Sequence, residues 1–232
     1  MTDRRHLQVA IPVFERITAL DAIGPYDVLQ RIPWVDVVFV GATRESVRTD
    51  NGFLGVEVDA TFDEVTRPDV VVFPGGFGTR ALVHDGAVLD WLRRAHETTT
   101  FTTSVCTGSL VLAAAGLLDG IEATTHWAAM DYLGQLGAIP TSQRVVEQLD
   151  RRIITAAGVS SSIDMALRLV ELLVDRTAAE GIQLYIEYDP QPPFDAGSPA
   201  KASDEAKARA AEYVAEREQQ RLDKLAAAAT AS

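Results

Sequence analysis

Cys106 is the single cysteine among 232 residues, and its neighbours suit a nucleophile. The run Phe101-Thr102-Thr103-Ser104-Val105 before it is rich in Thr, Val and Phe and reads as a strand. Thr107 to Gly116 then reads as a small apolar helix closed by glycine. A nucleophile on so sharp a strand-to-helix turn, a nucleophile elbow, needs small residues two positions before and after it; Ser104 and Gly108 supply them. The start of a helix also offers unpaired N–H groups and a positive dipole end, which favour a thiolate. The competing reading, a small buried hydrophobe, leaves this spacing without a reason.

Ligands of open α/β sheets bind at the carboxyl ends of the parallel strands. Three segments with useful residues end there: Asp21 after the first strand, Gly75-Gly76 after the strand at 69–73, and Cys106. Gly75 and Gly76 permit a backbone N–H to point inward, and the Thr107 N–H is a second donor, so the set can form an anion hole. Pro74-Gly75-Gly76 also reads as a plain turn. Asp21 reads either as a cap or turn residue or as a proton donor, with Gly24 better placed to cap a helix that holds Pro25 in its first turn. If Asp21 meets Cys106, one full charge is comfortable in their shared site, and they titrate as a coupled pair. His126 is available as an extra base, or as a helix cap or buried hydrogen-bonding group. Phe77 and Trp127 suit either an apolar substrate pocket or ordinary packing. His6, His84 and His96 are scattered without ligand spacing, so no metal site is expected.

The elements that position these residues alternate. Leu7–Val13 is a first strand, a helix follows near Tyr26 to Arg31, and Val35–Val40 is a second strand. A hairpin is expected over Arg48–Val58 around Asp50-Asn51-Gly52. Asp69–Phe73 is continuously apolar, as in a strand covered on both faces. Further helices are expected over Val88–His96, around Trp127–Leu136, and from Ser161, whose hydroxyl could pair with Asp164 in a capping box. A hairpin is expected from Arg144 to Thr155. The pattern implies a mostly parallel sheet between helical layers. Residues 1–189 form this α/β domain; 190–232 form an extended Pro-rich segment and a helix over Asp204–Leu225, not an independent domain, with a frayed Ala-rich end.

A net charge of −12 argues against nucleic-acid binding and an anionic membrane surface. No apolar run has the length of a membrane span. Met1–His6 leads straight into a strand without a secretory signal, so the expected compartment is the reducing cytoplasm.

Four stretches carry a resemblance: 104–118 (Ser-Val-Cys-Thr-Gly-Ser-Leu-Val-Leu-Ala-Ala-Ala-Gly-Leu-Leu), 73–78 (Phe-Pro-Gly-Gly-Phe-Gly), 20–29 (Leu-Asp-Ala-Ile-Gly-Pro-Tyr-Asp-Val-Leu) and 123–127 (Ala-Thr-Thr-His-Trp). In this order they resemble the ThiJ/PfpI superfamily, whose domains are class I glutamine amidotransferase-like, and are most similar to its isonitrile hydratase branch. The resemblance implies a flavodoxin-like three-layer sandwich, a homodimer, no cofactor, a catalytic Cys106, and roles for Asp21 and Thr107. Thr107 stands where peptidase-like members place histidine, which argues against proteolysis. Ala157-Gly158-Val159-Ser160-Ser161 stands where amidotransferases carry His-x-Glu, which argues against glutaminase activity. Many members carry Glu in place of Asp21, so this carboxyl reaches one methylene less far.

The implied reaction is hydration of a small-molecule isonitrile to an N-substituted formamide through a thioimidate on Cys106. Asp21 acts as acid and then base, and the Thr107 hydroxyl orients the acid or the water. The alternatives are a small-molecule-binding domain, an oxidation sensor at Cys106, or another thiol-dependent hydratase or hydrolase of the glyoxalase-like kind.

Overall fold

The structure is a computed structural model that describes residues 5–230. The Met1–Arg4 part of the expected lead into the first strand, and Ala231 and Ser232 of the expected frayed end, lie outside the described residues. By internal contacts the chain divides into two units, the first ending at Tyr188 and the second starting at Asp189.

The first unit runs β1 (Leu7–Pro12), α1 (Ala19–Leu29), β2 (Val35–Gly41), a hairpin of β3 (Val47–Arg48) and β4 (Gly55–Val56), then β5 (Ala60–Thr61) and β6 (Val70–Phe73). It continues through α2 (Thr79–Leu82), α3 (Gly86–Thr98), β7 (Phe101–Val105), α4 (Gly108–Ala114), β8 (Glu122–Ala123), α5 (Met130–Gln135) and β9 (Ile139–Pro140). The last elements are β10 (Val145–Gln148), β11 (Ile153–Ala156), α6 (Ser161–Leu173) and α7 (Arg176–Tyr185). Seven strands form one sheet in the order β10-β11-β7-β6-β1-β2-β5. Every pair is parallel except β10 with β11, the expected hairpin.

The apolar runs are continuous because both faces of the sheet are covered. Val9 and Ile11 of β1 and Val70 and Val72 of β6 pack into one core with Val28, Met165 and Leu169 of α1 and α6. Ala10, Val71 and Phe73 point the other way, into a core built with Trp91, Leu92, Leu110 and Leu112 of α3 and α4. Trp91 is fully buried, yet its indole N–H donates to the Val65 carbonyl at 2.7 Å, so no polar group is stranded. This is the flavodoxin-like three-layer sandwich. Chain order reverses between β1 and β6: β1 leads outward to β2, and β6 leads the other way to β7 and β11. A crevice for a ligand belongs at that switch.

Three local expectations are corrected. The first helix starts at Ala19, seven residues before Tyr26, and Pro25 lies inside it rather than in its first turn. Its start is set by tertiary ties, since Ile17 bridges to both Thr49 and Gly76. Gly24 is therefore no cap. Without a Cβ it relieves the clash that a residue before proline normally suffers in a helix. It also admits α6, because a Cβ there would stand 2.5 Å from Ser162 Oγ. The capping box at Ser161 is absent. Its hydroxyl donates to the Ala157 carbonyl at 2.6 Å, and Asp164 is taken by the Arg144 guanidinium and by the Tyr188 hydroxyl at 2.9 Å. A further helix, α7, has no counterpart among those expectations; Ile182, and Ile186 just past its end, carry its packing.

The second unit holds residues 189–203 without regular structure, then α8 (Asp204–Thr230). Ser203 Oγ accepts the Ala206 N–H at 3.2 Å at its start. Ion pairs one turn apart, Lys207–Asp204 at 3.1 Å and Arg221–Glu218 at 2.6 Å, support a helix with little apolar surface. The helix continues through 226–230, where fraying was expected. Among the described residues no helix is long and apolar enough to cross a membrane.

Candidate active site

The segments after β1, β6 and β7 converge at the switch point. Thr18 N–H donates to Gly75 O at 3.0 Å and Gly78 N–H to Arg16 O at 3.2 Å, which stitches the start of α1 to the Gly75–Gly78 loop. Asp50, in the turn of the β3–β4 hairpin, fastens both. Its N–H donates to Ile17 O at 3.0 Å, its Oδ2 accepts the Thr18 hydroxyl at 2.6 Å, and its Oδ1 accepts the Phe77 N–H at 3.0 Å.

Cys106 has φ +55°, in the left-handed region. Such a conformation costs a non-glycine residue on the order of 1–3 kcal/mol and persists where surroundings over-determine it. They do so here. Cys106 N–H reaches the Ala156 and Ala157 carbonyls at 3.0 Å, and its own carbonyl accepts the Ser109 hydroxyl at 3.1 Å and the Thr125 hydroxyl at 2.9 Å. A Cβ on Gly108 would stand 2.1 Å from Phe73 O, so the small residue required after an elbow is glycine for a steric reason. The thiol residue is 5% exposed.

Asp21 sits in the first turn of α1 and is completely buried. Its Oδ2 accepts the Gly75 N–H at 3.0 Å, and its Oδ1 is buried without a backbone or hydroxyl donor. A Cβ on Gly75 would lie 2.8 Å from both Asp21 Oδ2 and Cys106 Cβ, so those two atoms are no more than twice that distance apart. Carboxyl and thiol interact across this gap. Burial, with a smaller push from Asp50, raises the Asp21 pKa to about 7 against the pull of the Gly75 N–H. Burial and then the Asp21 charge push the Cys106 thiol well above its ordinary value. The common cause is that a low-dielectric site accommodates one negative charge and resists two.

The donors on the sulfur are the N–H groups of Thr107 and Val159, which pull the thiol pKa back down. Val159 has φ +30°, a strained conformation for a β-branched residue, and its residue type gives no sign of this role. The expectation for Gly76 is corrected. Its N–H donates to Thr107 Oγ1 at 2.9 Å, while that hydroxyl donates to Gly76 O at 3.1 Å. The Thr107 hydroxyl thus clamps the glycine loop, with its one donor spent on Gly76 O.

Phe77 packs against two cations. The Arg16 and Arg80 guanidiniums lie 5.1 and 5.0 Å from its ring centre. Trp127 is 46% exposed and stacks obliquely with His126, centroids 5.5 Å apart. His126 Nδ1 accepts the Ala128 N–H at 3.3 Å, the capping role weighed for it. Its ring edge lies against Gly158, where a Cβ would stand 2.6 Å from Cδ2. Burial and then the Arg80 charge lower its pKa, which favours the neutral imidazole. Among the described residues no three His, Cys, Asp or Glu side chains cluster as metal ligands.

Comparison with known proteins places this constellation. The DJ-1/PfpI family profile matches residues 7–172. A protein named isonitrile hydratase from Pseudomonas putida is 44% identical over 209 residues, covering 88% of this chain and 90% of its own length. A solved ThiJ/PfpI family protein from Pseudomonas syringae superposes with a TM-score of 0.85 at 39% identity, over 91% of this chain and 87% of the other. The HTH-type transcriptional regulator CdhR from Pseudomonas aeruginosa is 33% identical over 62% of this chain, which spans 41% of that regulator's length. With a nucleophile elbow after β7, a buried carboxyl in α1 and a profile match across most of the first unit, the chain belongs to the DJ-1/PfpI family.

Proposed function

We propose that the protein hydrates an isonitrile, R–NC, to an N-substituted formamide, with Cys106 as nucleophile and Asp21 as general acid and base. The observation that carries this reading is the buried thiol and buried carboxyl that meet across Gly75, in a site where burial resists two negative charges. The 44% identity to the Pseudomonas putida isonitrile hydratase supports the same substrate class.

In the reactive form the thiol proton has passed to Asp21, leaving the charge on Cys106 Sγ, where the Thr107 and Val159 N–H groups favour it. The sulfur attacks the electrophilic terminal carbon of the isonitrile, forming the C–S bond. The Asp21 proton goes to the same carbon, and the triple bond becomes the C=N bond of a thioimidate. Asp21, now ionised, takes a proton from the water that adds to that carbon. The tetrahedral adduct then collapses: the C–S bond breaks, the thiolate leaves, and the adduct's hydroxyl proton ends on nitrogen. Thiolate and protonated Asp21 are restored. Water is the only co-reactant, and no cofactor enters the balance. Gly75 fixes the acid, and Thr107 fixes the Gly76 loop and supplies an N–H to the sulfur.

Incubation of the purified protein with cyclohexyl isonitrile, followed by mass spectrometry for the formamide, tests the reading. Product from the wild type and none from Cys106→Ala is the expected result; no product, or undiminished product from the variant, overturns it. The rest of the reading is a cytoplasmic homodimer in which residues 1–189 carry the chemistry and 190–232 form an appendage rather than a domain. Exposed Leu20, Ile23 and Tyr26 on α1 and Phe53 and Leu54 in the hairpin support a self-association face.

A further inference from the structure

We infer that Arg144 is a positioning residue: it grips the turn 157–160 on both sides of Val159 and so keeps the Val159 N–H on the Cys106 sulfur. This rests on Cys106 acting as a thiolate, as in the reaction proposed above.

The sheet register brings Arg144 there. β10 runs antiparallel to β11 and Val145 pairs with Ala156, so the residue before Val145 falls beside the residue after Ala156. The Arg144 carbonyl accordingly accepts the Ala157 N–H at 2.9 Å. Its side chain extends to the other end of the turn, where Nη2 donates to Ser160 Oγ at 3.2 Å. Nε donates to Asp164 in the first turn of α6, and the other oxygen of that carboxylate accepts the Tyr188 hydroxyl at 2.9 Å. One residue thus ties the end of β11 to the start of α6.

The turn needs such a hold. Val159 is β-branched at φ +30°, and a residue so strained persists only where its surroundings impose the conformation. Before it, Ala157 is fixed at both polar atoms, since its carbonyl also accepts the Cys106 N–H at 3.0 Å. After it, the Val159 carbonyl accepts the Ser162 N–H at 3.2 Å as α6 begins. Held at both ends, the turn presents the Val159 N–H to the sulfur, where it favours the thiolate.

Folding stability does not account for these contacts. The Arg144 side chain is 51% exposed and that of Asp164 31%, and an ion pair so open to water contributes little. What the guanidinium changes is local, the freedom of the turn beside the sulfur.

Cys106 is the single cysteine, so labelling by iodoacetamide, read by intact protein mass, reports its thiolate without any isonitrile. Arg144→Ala and Ser160→Ala each break the grip, and the double variant shows whether they act as one. Melting temperatures are expected within about 4 °C of the wild type. Labelling at about pH 8 is expected to slow on the order of 10-fold in Arg144→Ala, the scale of one hydrogen bond to a charged group. Ser160→Ala should also slow it, and the double variant should be no slower than Arg144→Ala. A merely structural role would open the site and leave labelling unchanged or faster. Either single variant labelled at the wild-type rate or faster, fully additive losses, or a larger fall in melting temperature overturns the inference. So does a wild-type thiol that iodoacetamide never labels. Formamide release from cyclohexyl isonitrile is followed in parallel, and its absence in the wild type overturns the hydration reading alone.

Discussion

The Gly75 N–H donates to Asp21 Oδ2 at 3.0 Å, and the missing side chain of the same residue is the gap across which Asp21 meets Cys106. One glycine thus orients the acid and makes room for it. A Cβ there would stand 2.6 Å from Thr107 N and 2.8 Å from Asp21 Oδ2 and Cys106 Cβ, all closer than real contacts allow.

Gly75→Ala is therefore expected to force carboxyl and thiol apart. Overpacking of this kind costs about 1–3 kcal/mol of stability. Displacing a catalytic group by an ångström costs on the order of 10²-fold in rate. Turnover of an isonitrile together with a thermal melt checks both; a variant with wild-type turnover would remove Gly75 from the site's design.

Asp21→Asn is expected to stabilise the protein while abolishing turnover. Folding raises the Asp21 pKa from 3.8 to about 7, so the folded state favours the neutral acid. Its contribution is fully present below pH 3.8 and is lost as pH rises through about 7, where the buried group must ionise. A rise of about three pH units at roughly 1.4 kcal/mol each amounts to on the order of 4 kcal/mol. Urea denaturation at pH 4 and pH 8 should show the variant gaining on the wild type at the higher pH only. An equal gain at both values would contradict the shifted carboxyl.

The same proton sets the rate profile. Below about pH 7 both Asp21 and Cys106 are protonated, and above it the pair holds one proton and one charge. Isonitrile kcat/KM should rise with unit slope up to about pH 7 and then stay flat, because the thiol's own proton is held far more tightly. A rate still rising through pH 9 would mean that an ordinary free thiol, not the pair, is the nucleophile.

The elements that follow from local pattern were readable, and so was the elbow. Val70–Phe73 is apolar throughout because both sheet faces are covered, and Ser104 and Gly108 flank Cys106 because the turn is crowded. What could not be read depends on distant partners. Gly24-Pro25 has the look of a helix start, yet bridges from Ile17 to Thr49 and Gly76 begin α1 earlier. Val159 acts through its backbone N–H, to which side-chain identity gives no clue. Gly76 has an N–H like any other, and only the placement of Thr107 opposite it decides where that N–H points.

The proposed homodimer makes its own prediction. Phe53 is 67% exposed at the tip of the β3–β4 hairpin, on the segment that also holds Asp50 beside the site. If this apolar face meets a second copy, Phe53→Glu combined with Leu54→Glu should convert the protein to monomer. Light scattering on the wild type and the double variant decides it; a monomeric wild type would end the proposal.

Asp50 had the look of a turn former in Asp50-Asn51-Gly52, but its carboxylate is the clasp between Thr18 and Phe77 and its charge bears on Asp21. Asp50→Asn keeps an acceptor for the hydroxyl or the N–H and removes the charge. The Asp50 charge helps hold the Asp21 pKa up, so its loss lets that value fall. The acidic limb of the kcat/KM profile should then move to lower pH. Burial, the larger cause, remains, so the limb should stay well above pH 4. A purely structural clasp would lower the plateau without moving the limb, and that result would confine Asp50 to positioning.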